Sequence, residues 1–222
     1  MKLPKLTLVL LAAATLLFQS GCVVGRRTLS LSVPTASLPA ATKGKVYVAS
    51  VTDDRTFQNK PSDPSIPSID GDVTAISAAE KDRMIGRQRN TWGHAMGDIG
   101  LPDNDSVTKR VRLLVEEGLR RTGHEVVSAP EGAQTLTVSV EKFWAWTTPG
   151  MWALTFEANI FTRITLKTPT GSSTFTVMGL GTNHGQVAKD GNWLEAYEPA
   201  FEDFLASFKR EMDKIESPST PR

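Results

Sequence analysis

The segment "WALTFEANIFTRITLK", residues 152–167, constrains the fold more than any other. Leu154, Phe156, Ala158, Ile160, Ile164 and Leu166 fall on even positions, with Trp152 in the same phase. Thr155, Glu157, Asn159, Arg163, Thr165 and Lys167 fall on odd ones. Alternation with a period of two over this length specifies a β-strand with one apolar and one wet face. The preceding segment "TLTVSVEKFWAW" has the same phase, placing Leu136, Val138, Val140, Trp144 and Trp146 on one face. After the turn "TPTGS" comes "STFTVMGLGTN", whose alternating Gly179 and Gly181 signal a bulge or a close approach of other backbone. Three such strands in succession form an antiparallel meander, and something apolar must cover its dry face.

Two amphipathic helices are predicted to supply the cover. One spans about Ser106 to Thr122, with Val107, Val111, Leu114 and Leu119 on one stripe, Asp105 as N-cap and Gly123 past its end. The other spans Trp193 to Ile215 and carries Tyr197, Phe201, Phe204, Leu205, Phe208 and Met212. Asn192 and Glu195 could cap it, and Pro199 either kinks it or marks its first turn. "KVYVASV" at 45–51 is the first confident strand, and "HEVVS" after the first helix is a short one. Residues 58–104 read as a long irregular loop, except that Ser77 and Glu80 form a capping box for a short helix ending at Gly86. The expected fold is α+β: a two-layer sandwich of a mostly antiparallel sheet with two helices packed on one face.

The N-terminal residues 1–21 have the parts of an export signal: Lys2 and Lys5, then the apolar run 6–18, then small residues. The run would span about 20 Å as a helix, short of the roughly 30 Å hydrocarbon layer, which favours a signal over a membrane span. Ser20-Gly21-Cys22 resembles the lipobox of bacterial lipoproteins, although Gln19 stands where an aliphatic residue is usual. That resemblance implies cleavage before Cys22, a diacylglyceryl thioether on its sulfur and an amide-linked acyl chain, more than one chain being needed for stable anchoring. Val23, where an aspartate would imply retention in the inner membrane, points to the outer membrane, facing the periplasm. Residues 22–44 then serve as lipidated cysteine and tether, 45–215 form one domain, and 216–222 are expected to be a disordered tail. Cys22 is the sole cysteine, so folding rests on packing rather than on disulfides. The chain has 25 basic and 24 acidic residues; loss of Lys2 and Lys5 leaves 23 against 24. This balance gives no reason to expect nucleic acid as a partner.

With the lipid-type cysteine, the strand running into Asp53-Asp54-Arg55, the helix bearing "LRRTGHEV", the strand "FEANIFTRITL" and the C-terminal helix, the chain resembles the YajG-like family of uncharacterised Gram-negative lipoproteins. The resemblance covers roughly Lys45 to Ile215 and implies fold and location. It implies no reaction, and the segment 79–102 is longer than in the family's shorter members.

No nucleophile elbow, zinc helix or phosphate loop occurs, and neither a cofactor nor a metal is expected. Asp53 and Asp54 are weighed as a turn with a structural Asp–Arg bond against a carboxylate pair, the turn being favoured. His94, His124 and His184 lack partners at metal spacing and are read as surface or capping residues. Arg83, Arg87, Arg89 and Trp92, with His94, mix guanidiniums and an indole in a presumed loop, a composition that suits phosphate or carboxylate groups. Its anionic targets in the outer envelope would be lipid headgroups, lipopolysaccharide or muropeptides; the competing reading is that these residues only clamp the loop. Phe143, Trp146 and Met151, near the "TTPGM" tip, could leave an apolar patch for a partner or lipid. The resulting expectation is a non-enzymatic outer-membrane lipoprotein that binds an envelope protein or glycan. The runner-up is an auxiliary lipoprotein of envelope lipid transport, similar in arrangement to LptE-type or PqiC-type modules. A cell-wall hydrolase comes last.

Overall fold

The structure, a computed structural model, describes residues 25–37, 40–90 and 92–217; the expected signal, Cys22 and the last residues of the tail lie outside them. The α+β class holds. Among the described residues the fold is an open mixed sheet of eight strands with three helices, rather than a mostly antiparallel sheet with two.

The strands are β1 (Arg27–Thr28), β2 (Lys45–Asp53), β3 (Met84–Arg89), β4 (Ala95–Gly100), β5 (Glu125–Val127), β6 (Gln134–Pro149), β7 (Leu154–Thr168) and β8 (Gly171–Gly185). The helices are α1 (Ala78–Lys81), α2 (Val107–Arg121) and α3 (Asp190–Glu216). The predicted meander is present: β6, β7 and β8 pair antiparallel along nearly their full lengths. Parallel pairing enters on the other edge of β6, where β2 lies along its first half and β3 along its second. β5 extends the sheet beyond β2, β4 beyond β3, and β1 lies parallel to β4 at the margin. The long segment 58–104 therefore holds α1 and a two-stranded addition to the sheet. Its strands escaped detection because "MIGRQR" and "AMGDIG" do not alternate.

Arg55 fills the break between the end of β2 and the start of β3. Its guanidinium donates to the carbonyls of Met84 (2.6 Å), Phe143 (2.9 Å) and Lys81 (2.7 Å), and pairs at 2.6 and 2.8 Å with the two carboxylate oxygens of Asp53. A buried charge is tolerated only when its donors and its counter-ion are supplied, and here both are. The Asp-Arg pair expected at the strand end is thus structural. Asp54 turns elsewhere, accepting from Ser139 Oγ at 2.5 Å and Thr52 Oγ1 at 2.9 Å.

One irregularity decides which aromatics face which side. The β6–β7 register shifts between Val140 and Lys142, so Glu141 is an extra residue opposite β7. A bulge of one residue exchanges the two faces of everything that follows it. Leu136, Val138 and Val140 face the helices, but beyond the bulge Phe143 and Ala145 take over that role. Trp144 and Trp146 point the opposite way, into a second cluster with Ile69, Val73 and Met84 that loop 57–76 covers. The even-numbered phase read from the sequence thus fails for both tryptophans.

α3 lies across β8 and β7, touches α2, and α2 packs over β2. The glycines of β8 are required by that contact. A Cβ on Gly181 would sit 2.0 Å from the carbonyl oxygen of Ala196, and one on Gly179 2.2 Å from that of Ala200. The buried Tyr197 of α3 donates at 2.5 Å to the carbonyl of Ile85, joining helix to β3. Helix ends differ in detail from expectation. Ser106, not Asp105, caps α2, accepting from Lys109 N–H, because Asp105 is occupied by Arg110. α3 begins three residues early at Asp190 without a side-chain cap; Asn192 donates instead to the carbonyl of Val187.

The segment expected as a tether is partly laid into the domain. Leu29 and Leu31 are buried in the main core, and Ala36 N–H donates to Glu117.

Candidate anion-binding cavity

β3 and β4 form a hairpin whose connection holds Trp92 and His94, and loop 60–71 folds back beside it. Between them lies an open cavity of about 590 Å³, lined by Lys60, Asp70, Arg87, Arg89, Trp92 and His94 among others. Arg87 is in register with Trp146, so it stands on the face opposite the helices; Arg89, two residues on, shares that face. Of the four residues expected to cooperate, three meet here. Arg83 does not: it precedes β3, donates to the carbonyl of Leu101 and pairs with Asp103 at 2.5 Å.

Arg87 is buried at the cavity base. It pairs with the buried Asp98 at 3.2 Å and with the exposed Asp70 at 3.6 Å, yet its Nε has no aligned acceptor among the described residues. Burial pushes the Asp98 carboxyl up, against the opposing effects of the Asp70 N–H and of Arg87. Arg89 donates to the carbonyl of Pro61 at 2.6 Å and to Ser68 Oγ at 3.3 Å. Burial, then the like charge of Arg87, push its guanidinium down. An anion entering between the two would relieve that repulsion. Lys60 was missed in the sequence. It has φ +47°, left-handed backbone in a residue that directly precedes proline, where extended backbone is the rule. Strain of this kind is held in place by its surroundings, and it puts a third cation on the rim. The pre-proline lysine carried no sequence signal of that conformation.

The expected apolar patch is rearranged. Phe143 is fully buried in the main core, stacked on Tyr197 with ring centroids 5.2 Å apart, because the bulge turned it inward. Trp146 is half-buried against the second cluster. Met151 alone of the three is exposed, joined by Trp152, which was expected in the core. The three histidines lie apart, and among the described residues no three His, Cys, Asp or Glu converge as metal donors. His124 pairs with Glu216 and with Thr122, His184 with Thr155, and His94 lines the cavity. No described helix is long and apolar enough to cross a membrane.

These features define an α+β domain with an arginine-floored cavity beside a sheet-edge hairpin. No protein-family model and no curated protein matches the chain. A crystal structure of a Xanthomonas campestris protein assigned to the family model DUF330 is similar at a TM-score of 0.39 and 13% identity, over 86% of this chain and 99% of that one. A second solved structure, of an uncharacterized protein, is similar at a TM-score of 0.35 and 12% identity, over 86% of this chain and 95% of that one. Likeness at this distance transfers neither fold nor function.

Proposed function

We propose that the chain is a non-enzymatic, YajG-like lipoprotein of the bacterial outer membrane, anchored through Cys22 and facing the periplasm. Its domain, with the long helices as one layer over the sheet, binds an envelope partner, a protein or a glycan, through carboxylate or phosphate groups. The supporting observation is the convergence of Arg87, Arg89, Lys60 and the indole of Trp92 on one open cavity. Planar guanidiniums receive oxyanions in pairs of hydrogen bonds, and a neighbouring ring adds stacking against a sugar or peptide.

In-cell crosslinking of the mature protein, followed by mass spectrometry, tests this reading. A specific adduct is expected, and Arg89→Ala with Lys60→Ala should abolish it while the anchor stays acylated. Capture that persists in that variant would remove the cavity from the interface. The lipid-transport reading draws on Met151 and Trp152, both exposed at the β6–β7 tip. It requires radiolabelled phospholipid to co-purify with the domain, and a Met151→Ser, Trp152→Ser variant to lose it.

A further inference from the structure

Three connections of the sheet, and the lead into its first strand, can be placed at one end. β3 runs parallel to β6, with Arg87 opposite Trp146, so the turns that follow the two strands leave the sheet at the same end. β7 starts at that end, and the pairing of Leu154 with Gly185 returns the end of β8 there as well. β4 is antiparallel to β3 and so begins there, and β1 is parallel to β4. Gly25 N–H donates to the carbonyl of Met96, close to the start of β4. Gly25, which leads into β1, therefore lies at this same end.

The residues at the tips of those connections are unusual for soluble turns. Met151 is 88%, Trp152 87% and Trp92 81% exposed, and Val187, after β8, is 53% exposed. Among the described residues, the remaining exposed large apolar side chains, Leu113, Met178 and Leu180, are less exposed than Trp92, Met151 and Trp152 and lie within helix or strand. At the opposite end the β7–β8 turn is Thr168-Pro169-Thr170-Gly171, with no aromatic or large aliphatic side chain. Turn geometry therefore does not demand tryptophan or methionine. Indole at a water–hydrocarbon boundary is strongly favoured, because the ring is apolar and its N–H is not.

We propose that this end of the molecule is a membrane-docking face, on which Trp92, Met151 and Trp152 seat in the interfacial layer of the bilayer that carries the acyl anchor. This rests on the acylation of Cys22 in the reading above. Cys22 precedes Gly25 by three residues, a reach of at most about 10 Å fully extended, so an anchor there keeps Gly25, and with it this end of the sheet, close to the bilayer. Charge agrees with that placement: Lys60 and Arg89 line the same cavity as Trp92, and their positive charge is attracted to acidic headgroups. The orientation also fixes where the partner is met, since the cavity then opens at headgroup height.

The test uses the acylated mature chain, recovered from membranes and reconstituted into vesicles of phosphatidylethanolamine and phosphatidylglycerol with brominated acyl chains. Intrinsic fluorescence should be strongly quenched, and Trp92→Phe with Trp152→Phe should lose most of the quenching, because Trp144 and Trp193 are buried and Trp146 is half-buried. Circular dichroism of the double variant confirms that its fold is kept. Acylation is read separately, from the mass of the N-terminal peptide. A chain recovered without acyl groups overturns the anchor, and the docking with it. An acylated chain whose quenching matches that of the double variant overturns the docking alone, including the case in which a second copy or another protein covers the tips.

Discussion

The helix-covered interior and the turns after β3 and β6 use the same residue types for opposite ends. Phe156 and Trp193 meet edge to face with centroids 5.1 Å apart, and Phe143 stacks on Tyr197, all without solvent contact. Trp92 and Trp152, chemically alike, are left in the open at turn tips. In the first region every aromatic has a shaped neighbour; in the second none of the three exposed side chains is held by the fold. The difference teaches that aromatic content alone does not distinguish packing from contact-making in this chain. Position relative to strand direction does.

Several substitutions would break or sharpen that contrast. The largest effect is expected from Arg55→Ala, which strips three carbonyls of their donor and leaves Asp53 unpaired. A loss of about 3–5 kcal/mol in urea unfolding should follow. Gly181→Val comes next, since its Cβ would press on the Ala196 carbonyl; about 3 kcal/mol or more is expected where backbone, not a flexible side chain, must yield. Unchanged stability in either variant would mean that the interior is looser than its contacts indicate. A smaller effect is expected at His124, where α2 ends against Glu216 of α3. Burial holds its imidazole below the usual value, although Glu216 opposes the shift. The unfolded chain then takes up the proton first, so stability should fall as pH drops from about 7 through the ordinary histidine range, and His124→Asn should flatten that slope. The smallest effect belongs to Met151→Ser with Trp152→Ser. Stability should change by no more than about 0.5 kcal/mol, while vesicle quenching falls. A large destabilisation there would make the tip part of the core after all.

Much of the fold was legible because period-two alternation in β7 and β8 and the helical stripes of α2 and α3 survive into the packed core. What misled was local. One extra residue at Glu141 reversed the facing of Phe143, Trp144 and Trp146, and a bulge leaves no mark in composition. The strands β3 and β4 were hidden by glycine and arginine in place of alternating apolar residues. At the cavity, the clustering of Arg87, Arg89 and Trp92 in sequence anticipated their meeting in space, because they share one hairpin. Lys60 and Asp70 join from a separate loop, and only tertiary folding brings them there. Arg83 belonged to the sequence cluster but stands before the strand begins, tied to Leu101 and Asp103.

The seating of Arg27 has a mechanical consequence. Its guanidinium reaches the carbonyl of Ala188, the carboxylate of Asp190 at the start of α3, and Gln88 of β3. β1 is only two residues long, yet tension on the chain ahead of Gly25 would pull it lengthwise against β4. That loads its hydrogen bonds in shear rather than peeling them one by one. The load would pass through Arg27 to α3, so a pull on this end would be shared between sheet and helix and the first strand would not unzip on its own.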